Sequence, residues 1–288
     1  MAAEIVEFPV VAGGVQTRVL EVGEGDRALL FVHGLGARAD RWRRNMPVLA
    51  AQGWRCIALD LPGHGLATKG PGIPATVQAL ADFTGAVADE LQLRDVVLVG
   101  TSLGGHILGR LALDRADALA HGGLRPMGLM MIGTLGLFPL DPAVAAAIRR
   151  SVTETSMEAI ARKVAFVMKV RDGITPAWLR EEYLINNSKG AHESLERLGD
   201  YLVRQPPADI VGPSLQALSQ SLPIAVVWGA DDQAVPVQIG WDAHHRLGLP
   251  APTLIEGTGH APYWERDEVF NPLLATFASR CFGPPAGA

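Results

Sequence analysis

Cysteine is scarce in this chain, which has only Cys56 and Cys281 among its 288 residues. Small secreted domains that depend on disulfides are far richer in cysteine. The first residues also lack the features of a secretion signal, because Glu4 and Glu7 occupy positions where such a signal carries Lys or Arg, and no sustained apolar stretch follows them. We therefore expect two reduced thiols and a cytoplasmic location.

Long apolar runs and an excess of positive charge are missing as well. No segment reaches the roughly 18 uninterrupted apolar residues that a transmembrane helix needs. The formal net charge is −5, with no run of Lys or Arg, so the chain has no electrostatic attraction to phosphate backbones or anionic lipid. We expect neither a nucleic-acid partner nor a membrane partner. The sequence leaves the oligomeric state open, and a homo-oligomer is compatible with it.

The chain contains a series of short, almost wholly apolar runs. They are ALLFVH (28–33), CIALDL (56–61), VVLVG (96–100), LMMIG (129–133) and IAVVWG (224–229). Runs of this length indicate strands buried on both faces. Stretches of helical period separate the first four, so the pattern predicts an α/β fold with a doubly wound, mostly parallel sheet. Before them, residues 4–11 and 15–22 flank Ala12-Gly13-Gly14 and predict an antiparallel hairpin.

The strand–helix alternation is interrupted between the apolar runs that end at 133 and begin at 224. This stretch contains helical patterns and no convincing strand, and it is much longer than a simple crossover requires. We predict a helical cap, or lid, at 136–212, inserted into a core domain formed by 1–135 and 213–288. A short strand at 252–256 and a helix at 264–281 should complete the core.

The sequence Gly100-Thr101-Ser102-Leu103-Gly104-Gly105 lies between a buried strand and a helix. This is the pattern G-x-S-x-G, and its position between a strand and a helix makes it informative. There it predicts a sharp turn that exposes the serine at the carboxyl edge of the sheet. The helix N-terminus then points toward an anion developing at the serine. We predict that Ser102 is a nucleophile.

A serine nucleophile needs a base and an acid that orients the base. Two carboxylates, Asp231 and Asp232, follow the strand that ends at Gly229, and His260 follows the next strand. Both positions lie at the sheet edge predicted for Ser102, in the order serine, acid, histidine. A carboxylate after the strand at 129–133, Asp141, is the next candidate for the acid. The histidines at 192, 244 and 245 are predicted to be surface groups.

The loop His33-Gly34-Leu35-Gly36 follows the first parallel strand. Acyl transfer needs two backbone N–H donors for the tetrahedral oxyanion. We predict that Leu103, the residue after the nucleophile, supplies one donor and that Leu35 supplies the other.

Six motifs together resemble the α/β-hydrolase superfamily. They are HGLG (33–36), Trp42, DLPGHG (60–65), GTSLGG (100–105), WGADDQAVP (228–236) and GTGHAPYWE (257–265). The resemblance covers nearly the whole chain apart from the detail of the cap. It implies the α/β-hydrolase fold and the triad Ser102–Asp232–His260, with the N–H groups of Leu35 and Leu103 as oxyanion hole. It also implies that no metal and no organic cofactor is needed.

The motifs leave more than one branch of the superfamily open. A serine at 102 differs from the aspartate of haloalkane dehalogenases and epoxide hydrolases. Residues 172–187, with Trp264 and Asn271, resemble the meta-cleavage-product hydrolases, which cut carbon–carbon bonds in ring-opened aromatic dienoates. The chain departs from that group with HGLGAR (33–38), with Thr101 and with Ala261. Candidates for binding a dienoate carboxylate are Arg171 and Arg180.

Ester hydrolysis is therefore the first expectation, on a small-molecule ester and through an acyl-enzyme on Ser102. Carbon–carbon hydrolysis is the second. A non-catalytic protein that uses the cap cavity to bind a ligand is the alternative from a different class, because fold alone does not determine function. The residues predicted to line the substrate pocket are His33, Gly34, Trp228 and Trp264.

Overall fold

The computed structural model describes residues 4–116 and 123–283 and is centred on one eight-stranded sheet. The strands are β1 (Val6–Ala12), β2 (Val15–Val22), β3 (Arg27–Val32), β4 (Arg55–Leu59), β5 (Asp95–Thr101), β6 (Arg125–Ile132), β7 (Ile224–Gly229) and β8 (Thr253–Ile255). Their order in the sheet is β1-β2-β4-β3-β5-β6-β7-β8. Only the pairs β1·β2 and β2·β4 are antiparallel, and all other pairs are parallel. The predicted fold class, including the N-terminal hairpin, is confirmed.

Helices cover both faces of this sheet. They are α1 (Met46–Ala50), α2 (Val77–Glu90), α3 (Leu103–Asp114), α4 (Pro142–Thr153), α5 (Met157–Val167), α6 (Pro176–Asn186), α7 (Ala191–Val203), α8 (Gly212–Leu218), α9 (Gln238–Leu247), α10 (Pro262–Glu265) and α11 (Asp267–Phe282), with 3-10 turns at Ala39–Trp42 and Pro207–Asp209. The helix predicted at 264–281 is two helices, because Arg266 between them has the non-helical angles φ −138° and ψ 56°. In the part of the chain that the structure describes, no helix is long and apolar enough to cross a bilayer.

The central strands are buried on both sides, and their side chains alternate between two apolar clusters. On β3, Leu30 and Val32 join the cluster under α2 and α3, whereas Leu29 and Phe31 join the cluster under α1 and α11. All four are fully buried. This two-residue period explains why the runs are apolar throughout. Replacing one such leucine by alanine would cost about 2–5 kcal/mol.

The segment 136–212, which we call the insertion, contains α4 to α7 and, as described, no strand. Side chains cap three of its helices: Asp141 accepts from the N–H groups of Ala143 and Val144, and Ser156 and Thr175 cap α5 and α6. Asp141 is thus used as an N-cap on an exposed turn. The helical content agrees with the predicted cap, while its status as a separate, mobile lid remains a proposal.

A buried arginine joins the insertion to the core. Arg38 is 3% exposed and lies just before the 3-10 turn at Ala39–Trp42. Its guanidinium donates to the carboxylates of Glu181 and Glu182 on α6 and to Asp40, each at 2.8 Å. These carboxylates raise the pKa of Arg38 despite the opposing effect of burial. The ion pairs thus cross between a loop of the sheet and a helix of the insertion.

Candidate active site

Ser102 occupies the sharp turn between β5, which ends at Thr101, and α3, which begins at Leu103. Its φ of 53° and ψ of −120° lie in a region that residues with a side chain rarely adopt. Its N–H donates to the carbonyl oxygen of Ile132 on β6 at 2.9 Å. Such conformations cost about 1–3 kcal/mol and persist only where the surrounding structure imposes them. The turn leaves the Ser102 side chain at the carboxyl edge of the sheet.

The glycines around the serine are required by crowding. A Cβ on Gly104 would stand 2.3 Å from the carbonyl oxygen of Val32, and a Cβ on Gly100 would stand 2.5 Å from the carbonyl carbon of Gly104. Both distances are shorter than any real carbon contact, and in each case the obstacle is backbone that cannot move aside. The pattern G-x-S-x-G therefore follows from the close approach of β3, β5 and α3.

His260 and Asp232 meet at the same edge. The Nδ1 atom of His260 donates to Oδ2 of Asp232 at 2.7 Å, and Oδ1 of Asp232 accepts from the N–H groups of Ala234 and Val235 at 2.8 and 2.9 Å. The carboxylate is fully shielded from solvent. Burial opposes protonation of the imidazole, but the nearby Asp232 carboxylate outweighs burial and raises the pKa of His260.

The adjacent carboxylate has a different environment. The side chain of Asp231 is 46% exposed and forms an ion pair with Nζ of Lys169 at 2.7 Å. It has no contact with His260 in the described structure. The two neighbouring aspartates thus point in different directions, as backbone geometry after a strand requires.

The loop 33–36 and Gly133 enclose these groups. A Cβ on Gly34 would lie 3.0 Å from Cβ of Ser102, and a Cβ on Gly133, whose φ is +47°, would lie 3.0 Å from Nδ1 of His260 and 3.1 Å from Oδ2 of Asp232. Both positions therefore leave room for little more than hydrogen. Sequence reasoning did not identify Gly133, although a glycine directly after a buried strand was a visible signal.

The two predicted oxyanion donors lie beside Ser102. Leu35 lines both cavities that contain Ser102, and among the described residues its N–H has no hydrogen-bond partner. Leu103 is the first residue of α3, so its N–H has no acceptor within the helix. Two donors without partners next to a nucleophile are suited to stabilise an oxyanion.

Two cavities open on Ser102 and His260. The first, about 70 Å³, also contacts the side chains of Arg41 and Lys163, and we call it the cationic pocket. The second cavity, about 240 Å³, is called the apolar pocket. Residues of α4, of α5 and of the loop that follows β7 line it. The residues that define its apolar wall are Leu135, Val144, Ile148, Val152, Phe166 and Val235. Leu35, Lys163 and Val167 line both cavities as well, so the nucleophile lies where a small space lined by two cations joins a larger, mainly apolar one.

Three of the four residues predicted to line the pocket do not reach either cavity, and Gly34 alone does. His33 is fully buried, donates from Nδ1 to the carbonyl of Gly34 at 2.8 Å and accepts at Nε2 from the N–H of Leu61 at 3.0 Å. Burial lowers the pKa of His33 to about 4. The ring therefore links the loop 33–36 to Leu61.

The predicted pocket roles of the two tryptophans are corrected in the same way. Trp228 is fully buried and donates from Nε1 to the carbonyl of Val235 at 2.8 Å. Trp264 donates to the carbonyl of Asp172 at 3.2 Å, and the guanidinium of Arg44 lies over its ring. Each indole packs in the core because its N–H finds a backbone acceptor there.

The arginines predicted to bind a dienoate carboxylate are also misplaced. Arg171 and Arg180 are exposed, and neither lines the cationic or the apolar pocket. The cations that do line the cationic pocket are Arg41, one residue before Trp42, and Lys163 of α5. Nothing in the sequence pattern distinguished them from surface charges.

Glu265 is a further residue that the sequence did not indicate. It is 4% exposed, and its carboxylate accepts from four backbone N–H groups, those of Gly259, Ala261, Lys169 and Val170, at 2.8–3.2 Å. The N–H of His260 itself donates to the carbonyl of Val167 at 2.7 Å. The loop that presents the histidine is therefore fastened to the insertion on both sides of the imidazole.

Within residues 4–116 and 123–283, no three or more His, Cys, Asp or Glu side chains form a group that could hold a metal ion. The ionisable groups near Ser102 instead form the pair His260–Asp232 and the two cations of the cationic pocket.

Comparison with known proteins gives a family. Residues 29–273 match the model of the alpha/beta hydrolase family. The chain is 27% identical over 272 residues to the dihydrolipoyllysine-residue acetyltransferase component of an acetoin cleaving system from Cupriavidus necator, covering 91% of this chain and 66% of the relative. It is 26% identical over 269 residues to a 2-hydroxy-6-oxononadienedioate/2-hydroxy-6-oxononatrienedioate hydrolase from Escherichia coli O139:H28, covering 90% of each.

Solved structures agree on the fold. The 2-hydroxy-6-oxo-6-phenylhexa-2,4-dienoate hydrolase from Rhodococcus sp. strain RHA1 matches with a TM-score of 0.81 at 17% identity, over 96% of this chain and 99% of that one. A thermophilic esterase from Thermogutta terrifontis matches with a TM-score of 0.74 at 21% identity, over 98% and 100%. One fold is therefore shared with a dienoate hydrolase and with an esterase.

Proposed function

We propose that this chain, which belongs to the alpha/beta hydrolase family, is a serine hydrolase that cleaves a small carboxylic ester through an acyl-enzyme on Ser102. The observation that carries the proposal is the meeting of four separate loops at one sheet edge. These loops bring Ser102, His260 hydrogen-bonded to Asp232, and the unpartnered N–H of Leu35 to one cavity.

Each group has a role in this reaction. Nε2 of His260 accepts the hydroxyl proton as Oγ of Ser102 attacks the ester carbonyl carbon, and the carbonyl oxygen becomes an oxyanion near the N–H groups of Leu35 and Leu103. The tetrahedral intermediate collapses, the C–O bond to the alcohol breaks, and His260 returns the proton to the leaving oxygen. Water then attacks the acyl-enzyme with His260 again as base, releasing the acid and free Ser102.

Asp232 serves the histidine throughout. By accepting from Nδ1 it fixes the tautomer in which Nε2 is free to take a proton, and its charge stabilises the imidazolium that forms. The raised pKa of His260 is consistent with that role. The two N–H groups that hold Oδ1 of Asp232 keep the carboxylate aimed at the ring.

Carbon–carbon hydrolysis of a ring-opened dienoate is the second candidate. Two observations favour it: the relative from Escherichia coli is named as the hydrolase of a dienedioate, and two cations line the pocket beside Ser102. The misplacement of Arg171 and Arg180 and the departures at Thr101 and Ala261 weigh against it. A panel of short esters, a lactone and a dienoate ring-cleavage product would separate the two by kcat/KM.

The proposal is tested by replacing the nucleophile. Ser102→Ala should fold normally and lower kcat for 4-nitrophenyl acetate by roughly 10⁴-fold or more, because it removes the atom that forms the acyl-enzyme. A fluorophosphonate probe should label the wild-type protein at Ser102 and leave the variant unlabelled. Retention of most activity in the variant would refute the proposal. Wild-type protein with neither turnover nor labelling would indicate the non-catalytic alternative.

A further inference from the structure

Arg41 is a buried arginine for which the structure provides no acidic partner. The residue is 5% exposed, and no carboxylate of the described chain lies within 4 Å of its guanidinium. Its Nη1 atom is shielded from solvent and has no hydrogen-bond partner. Its guanidinium lies over the ring of Trp178 on α6, whose centroid is 4.3 Å from the guanidinium carbon. A buried cation in this state is costly unless something else pairs with it.

The other buried arginine of this loop provides an internal comparison. Arg38, three residues earlier, is 3% exposed and has three carboxylates around it. Within the described residues, the Arg38 guanidinium is thus paired with carboxylates, whereas the Arg41 guanidinium is not. The arginine without an acid is the one that lines the cationic pocket, together with Ser102.

A second cation lies in the same pocket. Nζ of Lys163 donates to the carbonyl of Gly36 at 3.3 Å and forms no ion pair in the described structure. Burial and the proximity of Arg41 lower the pKa of Lys163, against the opposing effect of Glu182. Neither cation forms an ion pair within the described residues, because Glu182, which acts on Lys163, is itself paired with Arg38. An anion bound by Arg41 and Lys163 would relieve both their mutual repulsion and the missing hydrogen bonds.

We propose that the cationic pocket is a binding subsite for an anionic group of the substrate, a carboxylate above all, held by Arg41 and Lys163 while the substrate's reacting carbonyl lies at Ser102. This inference rests on the proposed function and specifies its substrate class. The apolar pocket, which also contacts Ser102 and His260, receives the uncharged part. The expected substrate is an acyl compound with a carboxylate at one end and a hydrocarbon group at the other.

The test compares esters that differ only in charge. The first pair is 4-nitrophenyl hydrogen succinate and its neutral isostere 4-nitrophenyl 4-methylpentanoate, with the charge on the acyl side. The second pair is 4-acetoxybenzoate and 4-isopropylphenyl acetate, with the charge on the alcohol side. In one of the two pairs, wild-type kcat/KM should favour the anionic ester at least tenfold. The pair that shows this preference reveals which half of the substrate occupies the cationic pocket.

Arg41→Met and Lys163→Met should each lower that anionic-to-neutral ratio by roughly ten- to hundredfold, because each removes a charged hydrogen-bond donor. Methionine keeps an unbranched apolar stem against Trp178. The matched control is Arg162→Met, which removes a 67% exposed cation from the same helix as Lys163 and should leave the ratio unchanged. An equal loss on anionic and neutral esters in Arg41→Met and Lys163→Met would overturn the proposal.

A binding measurement separates this proposal from the catalytic one. In the Ser102→Ala variant, calorimetry should detect binding of methyl hydrogen succinate or of 4-acetoxybenzoate. Adding Arg41→Met should weaken the binding of that ligand at least tenfold. If neither ligand binds while wild-type protein is still labelled at Ser102 and hydrolyses neutral esters, the subsite is refuted and the hydrolase proposal stands. If a ligand binds through Arg41 but no ester is cleaved, the subsite stands and the hydrolase proposal falls.

Discussion

The two walls of the candidate site are built by different means. On the core wall, Ser102, Leu35 and His260 are placed by backbone hydrogen bonds and by close approaches that only glycine permits. On the insertion wall, Lys163 and Phe166 reach the cavities as ordinary side chains of a capped helix. A group fixed through its backbone cannot shift when a neighbour is substituted, whereas a side chain can. The core wall therefore holds the groups of the proposed chemistry, and the insertion wall, together with the Arg41 side chain of the core, contributes to selecting the substrate.

The largest expected effect separates two neighbours on the core wall. Asp232→Asn should lower kcat for an activated ester about 10³–10⁴-fold, because an amide cannot hold the imidazole in the productive tautomer or stabilise its charged form. Asp231→Asn should lower kcat less than tenfold, since its partner is the exposed Lys169. Steady-state kinetics with circular dichroism as a folding check decide this, and reversed losses would mean that Asp231 is the acid.

The pH profile of kcat/KM also distinguishes Asp232 from Asp231 as the partner of His260. Activity requires neutral His260, so it falls as pH drops through the histidine pKa, which Asp232 raises. Without that carboxylate the effect of burial remains and lowers the pKa. The acidic limb of the residual activity should therefore move to lower pH in Asp232→Asn and stay in place in Asp231→Asn. A shift to higher pH in Asp232→Asn would contradict the assigned pair.

An intermediate effect is expected where the two walls join. Glu265→Gln weakens the acceptor of four backbone N–H groups, two beside His260 and two in the insertion. Since hydrogen bonds to a charged group contribute about 1.5–3 kcal/mol, the variant should lose stability and lower kcat roughly tenfold or more, with KM less affected.

A purely structural role for Glu265 would lower melting temperature without changing kcat of the folded protein. Fluorophosphonate labelling kinetics below the melting transition distinguish the two, because misplacement of His260 slows activation of Ser102. The control is Glu268→Gln, which changes a 62% exposed carboxylate in the neighbouring turn. An effect of equal size in that control would remove the argument for positioning.

The smallest effect belongs to the insertion wall. Phe166→Ala removes a half-exposed ring from the apolar pocket. A loss of about 50 Å² of apolar contact corresponds to about 1–1.5 kcal/mol, so the preference for 4-nitrophenyl hexanoate over the acetate should fall about five- to twelvefold. Leu184→Ala, an exposed substitution on α6 away from both pockets, should leave the preference unchanged. A larger change in phosphonate labelling than in chain-length preference would contradict the division between the walls.

The sequence predicted the features that depend on the backbone better than those that depend on side-chain contacts. The strands were visible because burial on both faces leaves a continuous apolar run, and the loops of Ser102 and His260 were visible because sharp turns demand glycine. The sequence did not reveal Arg41 or Glu265, because their surroundings come from segments more than 90 residues away, such as Trp178 and Val170. Trp228 was misjudged for a related reason, since only the folded chain shows that a carbonyl oxygen meets its indole N–H.

The ion pairs of Arg38 have a consequence for recombining relatives of this fold. Exchanging the insertion between family members is an obvious way to transplant specificity, but a donor segment without acids at the positions of Glu181 and Glu182 would leave a buried guanidinium with Asp40 alone. Breaking a buried pair from one side costs about 3–5 kcal/mol, a large fraction of the stability of an ordinary domain. A recombinant that exchanges the insertion should therefore also exchange the loop that contains Arg38.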